Sequence, residues 1–156
     1  MISAEELRER LYAECGRSVA CRRAADYYVA LVKNPCYPPA DKMTYKVRRH
    51  YMQIIERHGP PPKCDVKKLV EERLAGTILE KYAQEIAELA ERLRRVLFIT
   101  SRVAAAVAAV VVAEAHGINV VRHSAAKRFG TNYVSVKTYY RRALRLYREM
   151  SASRLR

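Results

Sequence analysis

The sequence has no tryptophan, only five glycines, and only five asparagine and glutamine residues among 156 positions. Low glycine combined with abundant Ala, Leu, Val, Arg and Glu is typical of helical proteins. No segment alternates polar and apolar residues for long enough to predict a β-strand. We therefore predict an all-α fold. The scarcity of asparagine and glutamine is typical of heat-adapted proteins and indicates a thermophilic source.

Long apolar runs are also missing. The longest, residues 103–113, has 11 residues, whereas a membrane-spanning helix needs about 20. The opening segment MISAEELRER is charged and polar, unlike a signal peptide. These features predict a cytoplasmic protein without a membrane partner. We expect residues 103–113 to form the most buried helix.

The four cysteines do not form a C-x-x-C pair, so the ligand spacing of a zinc ribbon is absent. They are Cys15, Cys21, Cys36 and Cys64, and irregular gaps separate them from the nearby histidines. We expect no metal site and no cofactor. Buried thiols are the expected state of these cysteines, and intracellular disulfides are the alternative if the source is a hyperthermophile.

Acidic residues are scarce near the C-terminus. Residues 102–156 contain 11 Lys and Arg but only Glu114 and Glu149, a formal charge of +9. Residues 64–101 are neutral, with seven side chains of each sign, and residues 1–63 carry +5. A neutral segment beside a strongly basic one indicates a polyanionic partner, and the alternative is a solvated basic surface.

Capping signals predict the order of the helices. The predicted N-cap residues are Ser3, Ser18, Asp65, Thr77, Ser101, Asn119 and Asn132. The second helix is predicted over residues 19–33 and the third over about 42–58. The third helix should place Tyr45, Val47, Tyr51, Ile54 and Ile55 in the core. We interpret Tyr27, Tyr28, Tyr45 and Tyr51 as packing residues rather than as platforms for nucleic-acid bases.

The run 59-GPPPKCD-65 interrupts the helical pattern. Three consecutive prolines indicate an extended connector, so we place the domain boundary there. Residues 1–60 then form an N-terminal region of about three helices, and residues 64–150 form a second helical domain. Residues 151–156 are predicted to be a basic tail.

The segment 125-AAKRFGTNYVSVKTYYRRALRLY-147 has the spacing of a helix-turn-helix, which we predict at about residues 120–148. Ala126 is the small residue of the first helix, and Gly130 suits a left-handed turn four residues later. Val136 and Tyr139 then fall six and nine residues beyond Gly130, where this motif has buried residues.

A helical wheel separates the two sides of the last helix. The predicted packed side has Val136, Tyr140, Ala143 and Tyr147, and the opposite side has Val134, Lys137, Arg141, Arg145 and Arg148. Cations on the second side suit phosphates, and residues near the helix start suit base edges. The predicted DNA-binding residues are Asn132, Tyr133, Val134, Lys137, Thr138, Arg141, Arg142 and Arg145, with Arg122, Lys127 and Arg128 on the preceding helix.

The run 101-SRVAAAVAAVVVAEAHGINVVRHSAAKRFGTNYVSVKTYYRRAL-144 resembles the last three helices of a cyclin-like repeat of transcription factor IIB and of archaeal transcription factor B. The matching features are an Ala-rich helix before a glycine, a short fourth helix and the recognition helix V-S-V-K-T-Y-Y-R. Helices at 65–76 and 78–98 would complete the repeat. The resemblance implies a cyclin-like five-helix bundle ending in a helix-turn-helix, with the N-terminal helices as an extension.

The same resemblance implies a transcription-related factor that binds double-stranded DNA. In the family a valine and an arginine three residues later contact a promoter element, and these positions match Val134 and Lys137 here. Lysine lacks the bidentate fork of arginine. TATA-binding protein and RNA polymerase are further partners that the resemblance implies. The family's zinc ribbon is missing, and residues 1–63 supply too few helices for another repeat, so we expect a lone module associated with the nucleoid.

Three alternatives stay open. A cyclin-like module could bind proteins, and phosphate contacts alone would give nonspecific binding of nucleic acid, including RNA. The N-terminal helices could also form a homodimer. An enzyme is not expected, although 119-NVVRHSAAKRF-129 is weakly similar to the H-x-x-R-H segment of tyrosine recombinases, with Tyr139 or Tyr140 as nucleophile. The further cations and the β-hairpin of those enzymes are not found.

Overall fold

The computed structural model describes residues 2–154, and its regular elements within that range are all helical, which confirms the all-α prediction. The chain divides into two compact units, residues 1–64 and residues 65–156. We call them the N-terminal unit and the C-terminal unit. No helix within residues 2–154 is long and apolar enough to cross a membrane.

The N-terminal unit contains helices α1 (Ala4–Cys15), α2 (Val19–Lys33) and α3 (Tyr45–His58). The predicted caps of α1 and α2 are confirmed, because Ser3 Oγ accepts a hydrogen bond from the amide of Glu6 and Ser18 Oγ accepts one from the amide of Cys21. Helix α2 packs against both α1 and α3. Its bounds match the predicted ones.

The core of the N-terminal unit lies around α2. Its buried residues are Leu11, Ala24, Ala25, Tyr28, Val29, Val47 and Ile54. The Tyr28 hydroxyl donates a hydrogen bond to the carbonyl of Gly59, at 2.8 Å, and so fixes the end of α3 against α2. The ring of Tyr51 packs edge-to-face on Tyr27 with centroids 5.4 Å apart. Three of the four tyrosines therefore pack as predicted.

Tyr45 does not pack in this core, and its predicted burial is wrong: its side chain is 82% exposed. Helix α3 starts at Tyr45 instead of residue 42, because Thr44 Oγ1 accepts a hydrogen bond from the amide of Val47 and caps the helix there. Once Val47 and Ile54 face the core, the helical period turns Tyr45 towards solvent.

All four cysteines form disulfides, so the preference for buried thiols is wrong. Cys15 pairs with Cys21, and Cys36 pairs with Cys64. The second bridge closes a loop with a sequence separation of 28 residues that contains α3. A unit of this size buries a limited core, and covalent loops stabilise it by restricting the unfolded chain.

The C-terminal unit contains helices α4 (Val66–Leu74), α5 (Ala83–Leu97), α6 (Ser101–Ala115), α7 (Arg122–Arg128) and α8 (Tyr133–Arg154). A 3₁₀ turn at Glu80–Tyr82 precedes α5. The predicted cap of α4 is confirmed, since Asp65 Oδ1 accepts a hydrogen bond from the amide of Lys68.

Helix α6 is the centre of the C-terminal unit. Residues 104–113 are all buried, and α6 contacts α4, α5, α7 and α8. The predicted location of the most buried helix is confirmed. Only alanine and valine occupy these ten positions, so the surrounding helices can approach it closely.

Three helix starts in the C-terminal unit differ from the prediction. Thr100 caps α6 through the amide of Val103, while Ser101 is the first helical residue and accepts a hydrogen bond from Arg94. Asn119 does not cap α7, which begins three residues later. Helix α5 begins at Ala83 because the 3₁₀ turn takes up the preceding residues.

The C-terminal end is helical as far as the structure describes it. Helix α8 continues to Arg154, so residues 151–154 of the predicted basic tail belong to this helix. Residues 155 and 156 lie outside the described range.

Candidate nucleic-acid interface

The connection between α7 and α8 is a tight turn at Gly130. Gly130 has φ 69°, a left-handed conformation that glycine adopts without a steric penalty. The amide of Thr131 donates to the carbonyl of Ala126 at 2.8 Å, which closes the end of α7. Ala126 is almost fully buried, as its spacing predicted. Arg102 on α6 reinforces the turn, because its Nη1 donates to the Gly130 carbonyl at 3.0 Å.

Helix α8 begins with the predicted cap. The side-chain oxygen of Asn132 accepts a hydrogen bond from the amide of Ser135 at 2.9 Å. The ring of Tyr133 stacks on His123 of α7 with centroids 4.3 Å apart and nearly parallel planes. These two contacts fix the direction in which α8 leaves the turn.

The packed side of α8 is the predicted one. Val136 and Ala143 are fully buried, and Tyr140 and Tyr147 are partly buried. The hydroxyl of Tyr140 donates a hydrogen bond to the carboxylate of Glu114 on α6, and that of Tyr147 donates to the carboxylate of Glu85 on α5. Both hydroxyls therefore attach α8 to the helices beneath it.

Glu85 links α8 to the end of α6 as well. Its second carboxylate oxygen lies 2.8 Å from Nε2 of His116, whose ring stacks on Tyr82 at 4.1 Å. Burial raises the pKa of Glu85, but the hydrogen bonds from Tyr147 and His116 and the positive charges of His116 and Arg154 act against it, and the net pKa is lowered. Burial, together with the hydrogen bond to Glu85, raises the pKa of Tyr147 to about 12.

The opposite side of α8 is open to solvent. Val134 is 70% exposed, although it is apolar and lies in the first turn of the helix. The cations that follow it on the same side are exposed too: Lys137, Arg141, Arg145 and Arg148. Within residues 2–154 none of these four cations makes an ion pair or hydrogen bond through its side chain. We call Val134 and these cations the α8 face.

Several of the predicted DNA-binding residues have intramolecular contacts instead. The Arg122 guanidinium lies 4.2 Å from the centroid of the Tyr140 ring, and Arg142 lies 4.9 Å from that of Tyr139. Arg128 Nη1 donates to the carbonyl of Arg73 at 3.1 Å, which ties α7 to α4. The contacts of Arg122 and Arg128 join α7 to α8 and α4, and their partners are 18 and 55 residues away in the chain, so helical periodicity could not predict them. The contact of Arg142 with Tyr139 lies within α8.

The remaining predicted residues, Thr138 and Lys127, are open to solvent. Thr138 is exposed, and its hydroxyl donates to the carbonyl of Val134 at 2.7 Å within the helix. Lys127 on α7 is exposed, and no contact to its side chain occurs within the described chain. Arg148 was placed on the cationic side of α8 by the wheel but was not among the predicted contacts. Its position continues the same row of cations.

His123, in the segment weakly similar to tyrosine recombinases, and Tyr140, one of the two tyrosines considered as nucleophile, are both engaged in contacts in the described part of the chain. No group of three or more His, Cys, Asp or Glu side chains there could hold a metal ion. His123 stacks on Tyr133, and the ring of Tyr140 packs against Arg122 with its hydroxyl on Glu114. What this surface offers is charge and an exposed valine, which suit binding.

No protein-family model matches the chain, and no similar curated protein or solved structure was found in comparisons with known proteins.

Proposed function

We propose that the C-terminal unit binds duplex DNA and that α8 lies in the major groove. The observation that carries this proposal is the α8 face, in which an exposed valine is followed by four exposed cations that have no side-chain partner within residues 2–154. The face runs from residue 134 to residue 148, about 21 Å at the rise of an α-helix. A helix with one packed side and one cationic side fits the dimensions of the major groove.

The two ends of the face have different roles in this proposal. Val134 and Lys137 lie in the first turns of α8, where recognition helices approach base edges. The valine suits the methyl group of thymine, and the lysine ammonium suits the acceptors of guanine. Arg141 and Arg145 lie farther along the helix and suit phosphates, which fix orientation without specifying sequence.

Lys127 is the residue of α7 best placed to add a phosphate contact, because it is exposed and its side chain has no partner within residues 2–154. Arg122 and Arg128 already hold Tyr140 and the end of α4, so we assign them to positioning α7. Asn132 and Tyr133 set the start of α8 in the same way.

The resemblance to cyclin-like repeats of transcription factor B supports a role in transcription. The described part of the C-terminal unit has five α-helices, the number that such a repeat requires. Under this proposal TATA-binding protein and RNA polymerase are partners to test after DNA. The proposal rests on the α8 face and does not depend on them.

Selection from random duplexes, followed by measurement of affinity by fluorescence anisotropy, tests the function. We expect an enriched motif, relaxed base preference in Lys137→Ala, and weaker binding to all sequences in Arg141→Ala. Arg92→Ala is the matched control, since Arg92 is an exposed arginine of α5 in the same unit. Binding without an enriched motif would make the protein a nonspecific binder. No binding at low salt would favour a protein-interaction module.

A further inference from the structure

A second cationic surface lies on the N-terminal unit, at the beginning of α3. The segment 42-KMTYKVRR-49 carries four cations and no acidic residue, and all four cations are exposed: Lys42, Lys46, Arg48 and Arg49. None of them makes an ion pair or hydrogen bond through its side chain within the described residues. Four positive charges lie within these eight residues, and Asp41 is the one acidic residue directly beside them, so a polyanion would relieve the repulsion among the cations.

An exposed aromatic ring stands among these charges. Tyr45 is 82% exposed, whereas the rings of Tyr27 and Tyr28 on α2 pack against the ring of Tyr51 on α3. At 100° per residue, Tyr45, Arg48, Arg49 and Met52 share one side of α3, opposite the buried Val47 and Ile54. Met52 is also exposed, at 52%. We call these four residues the α3 face.

We propose that the α3 face binds single-stranded nucleic acid, with a base stacked on Tyr45 and the adjacent phosphates held by Arg48 and Arg49. Residues three and four apart on a helix have Cβ atoms about 5–6 Å apart, so both guanidinium groups can reach the backbone on either side of a base over Tyr45. Lys42 and Lys46 extend the positive surface along the strand. Met52 offers a second apolar contact one turn beyond the arginines.

The exposed ring distinguishes this surface from the α8 face. Duplex DNA keeps its bases stacked on one another, so an exposed tyrosine gains little from it, whereas an unpaired base has a free face. An acidic protein segment would use the cations but would leave Tyr45 without a specific role. The combination of an open aromatic ring with flanking arginines is the chemistry of a single-strand surface.

The test measures binding of a single strand of about 12 thymidines by fluorescence anisotropy. All proteins in the comparison carry Lys137→Ala and Arg141→Ala, which remove the principal cations of the α8 face. In that background we expect Tyr45→Ala to raise the Kd about tenfold or more and Tyr45→Phe to preserve it, since stacking needs the ring and not the hydroxyl. The double substitution Arg48→Ala with Arg49→Ala should also raise the Kd, and it should reduce the dependence of the Kd on salt concentration because phosphate contacts are lost.

Arg10→Ala with Arg17→Ala is the matched charge control, because both arginines are exposed in the same unit and have no side-chain partner within the described chain. An equal loss in this control and in the Arg48/Arg49 pair would overturn the proposal, as would an unchanged Kd for Tyr45→Ala. Crosslinking to an iodouracil-containing strand should attach the Tyr45 peptide. Adducts only on α8 would also overturn it. Duplex binding by the α8 face is measured separately, so either proposal can fail alone.

Discussion

The hydroxyl of Tyr140 on α8 donates a hydrogen bond to the carboxylate of Glu114, near the end of α6. This bond and the buried Val136 and Ala143 hold α8 against the central helix of the C-terminal unit. The bond raises the pKa of Tyr140, with a further contribution from burial. A tyrosine within a predicted recognition helix therefore serves the packing of that helix.

Tyr140→Phe should lower the free energy of unfolding of the C-terminal unit by about 1 kcal/mol, because the ring remains and only the hydrogen bond is lost. Urea denaturation followed by circular dichroism measures the change. Tyr133→Phe is the control, since the Tyr133 ring stacks on His123 but its hydroxyl makes no hydrogen bond within residues 2–154. Equal destabilisation by both substitutions would contradict the importance of the Glu114 bond.

The salt dependence of DNA binding should show how many cations of the α8 face contact phosphates. Arg141→Ala and Arg145→Ala should each reduce the slope of log K against log salt by about 1, because each removes one phosphate contact. Titrations at several salt concentrations provide the slopes. Arg92→Ala should leave the slope unchanged. A slope that falls equally in all three variants would show that net charge, and not this face, determines binding.

Alkaline pH should loosen α8 through Tyr147. Its pKa is raised to about 12, so the fold favours the protonated hydroxyl. This contribution to stability is complete below the unfolded pKa of about 10 and is lost as the pH rises through about 12. We expect the stability of wild type and Tyr147→Phe to converge over that interval in urea denaturation. If the stabilities of the two proteins instead change in parallel with pH, the ionisation of Tyr147 is not coupled to folding through its bond to Glu85.

Removing the bridge between Cys36 and Cys64 should destabilise the N-terminal unit more than removing the one between Cys15 and Cys21. Loop-closure entropy predicts losses of about 3.5 and about 2 kcal/mol, since the sequence separations are 28 and 6 residues. Scanning calorimetry of the two double Cys→Ser variants tests the order. Thiol alkylation of the untreated protein provides the control, and we expect no free thiol among the four cysteines. Equal effects would contradict the loop-length argument.

Helix bounds were predictable wherever a single strong signal stood at each end. Ser18 and the Asn34–Pro35 pair enclose α2, and its bounds were predicted correctly. Ambiguity arose where two residues could serve as caps, as with Thr100 and Ser101, because both hydroxyls can accept from a nearby amide. Disulfide pairing was not predictable, since it depends on Cα distances of 5.4 and 4.7 Å that only the fold creates.

In the candidate site, too, local features were predictable from the sequence and contacts between distant residues were not. Helical period alone separated the buried Val136 and Ala143 from the exposed Val134 and the cations of α8. Helical periodicity could not predict that Arg128 donates a hydrogen bond to the carbonyl of Arg73, 55 residues away in the chain. For Tyr45 the helical period was sufficient, since two positions from the buried Val47 is a rotation of about 200°, and the prediction of a core tyrosine there did not apply it.

The manner in which α8 is attached has a consequence for release of a bound polyanion. Within residues 2–154, the side-chain polar contacts that join α8 to α5 and α6 come from the neutral hydroxyls of Tyr140 and Tyr147 and from the ion pair of Arg154 with Glu88. Dissolved ions screen attraction between full charges far more than they weaken buried apolar contacts or hydroxyl donors. If α8 binds a polyanion as proposed, a rise in ionic strength should therefore release that polyanion while α8 keeps its place.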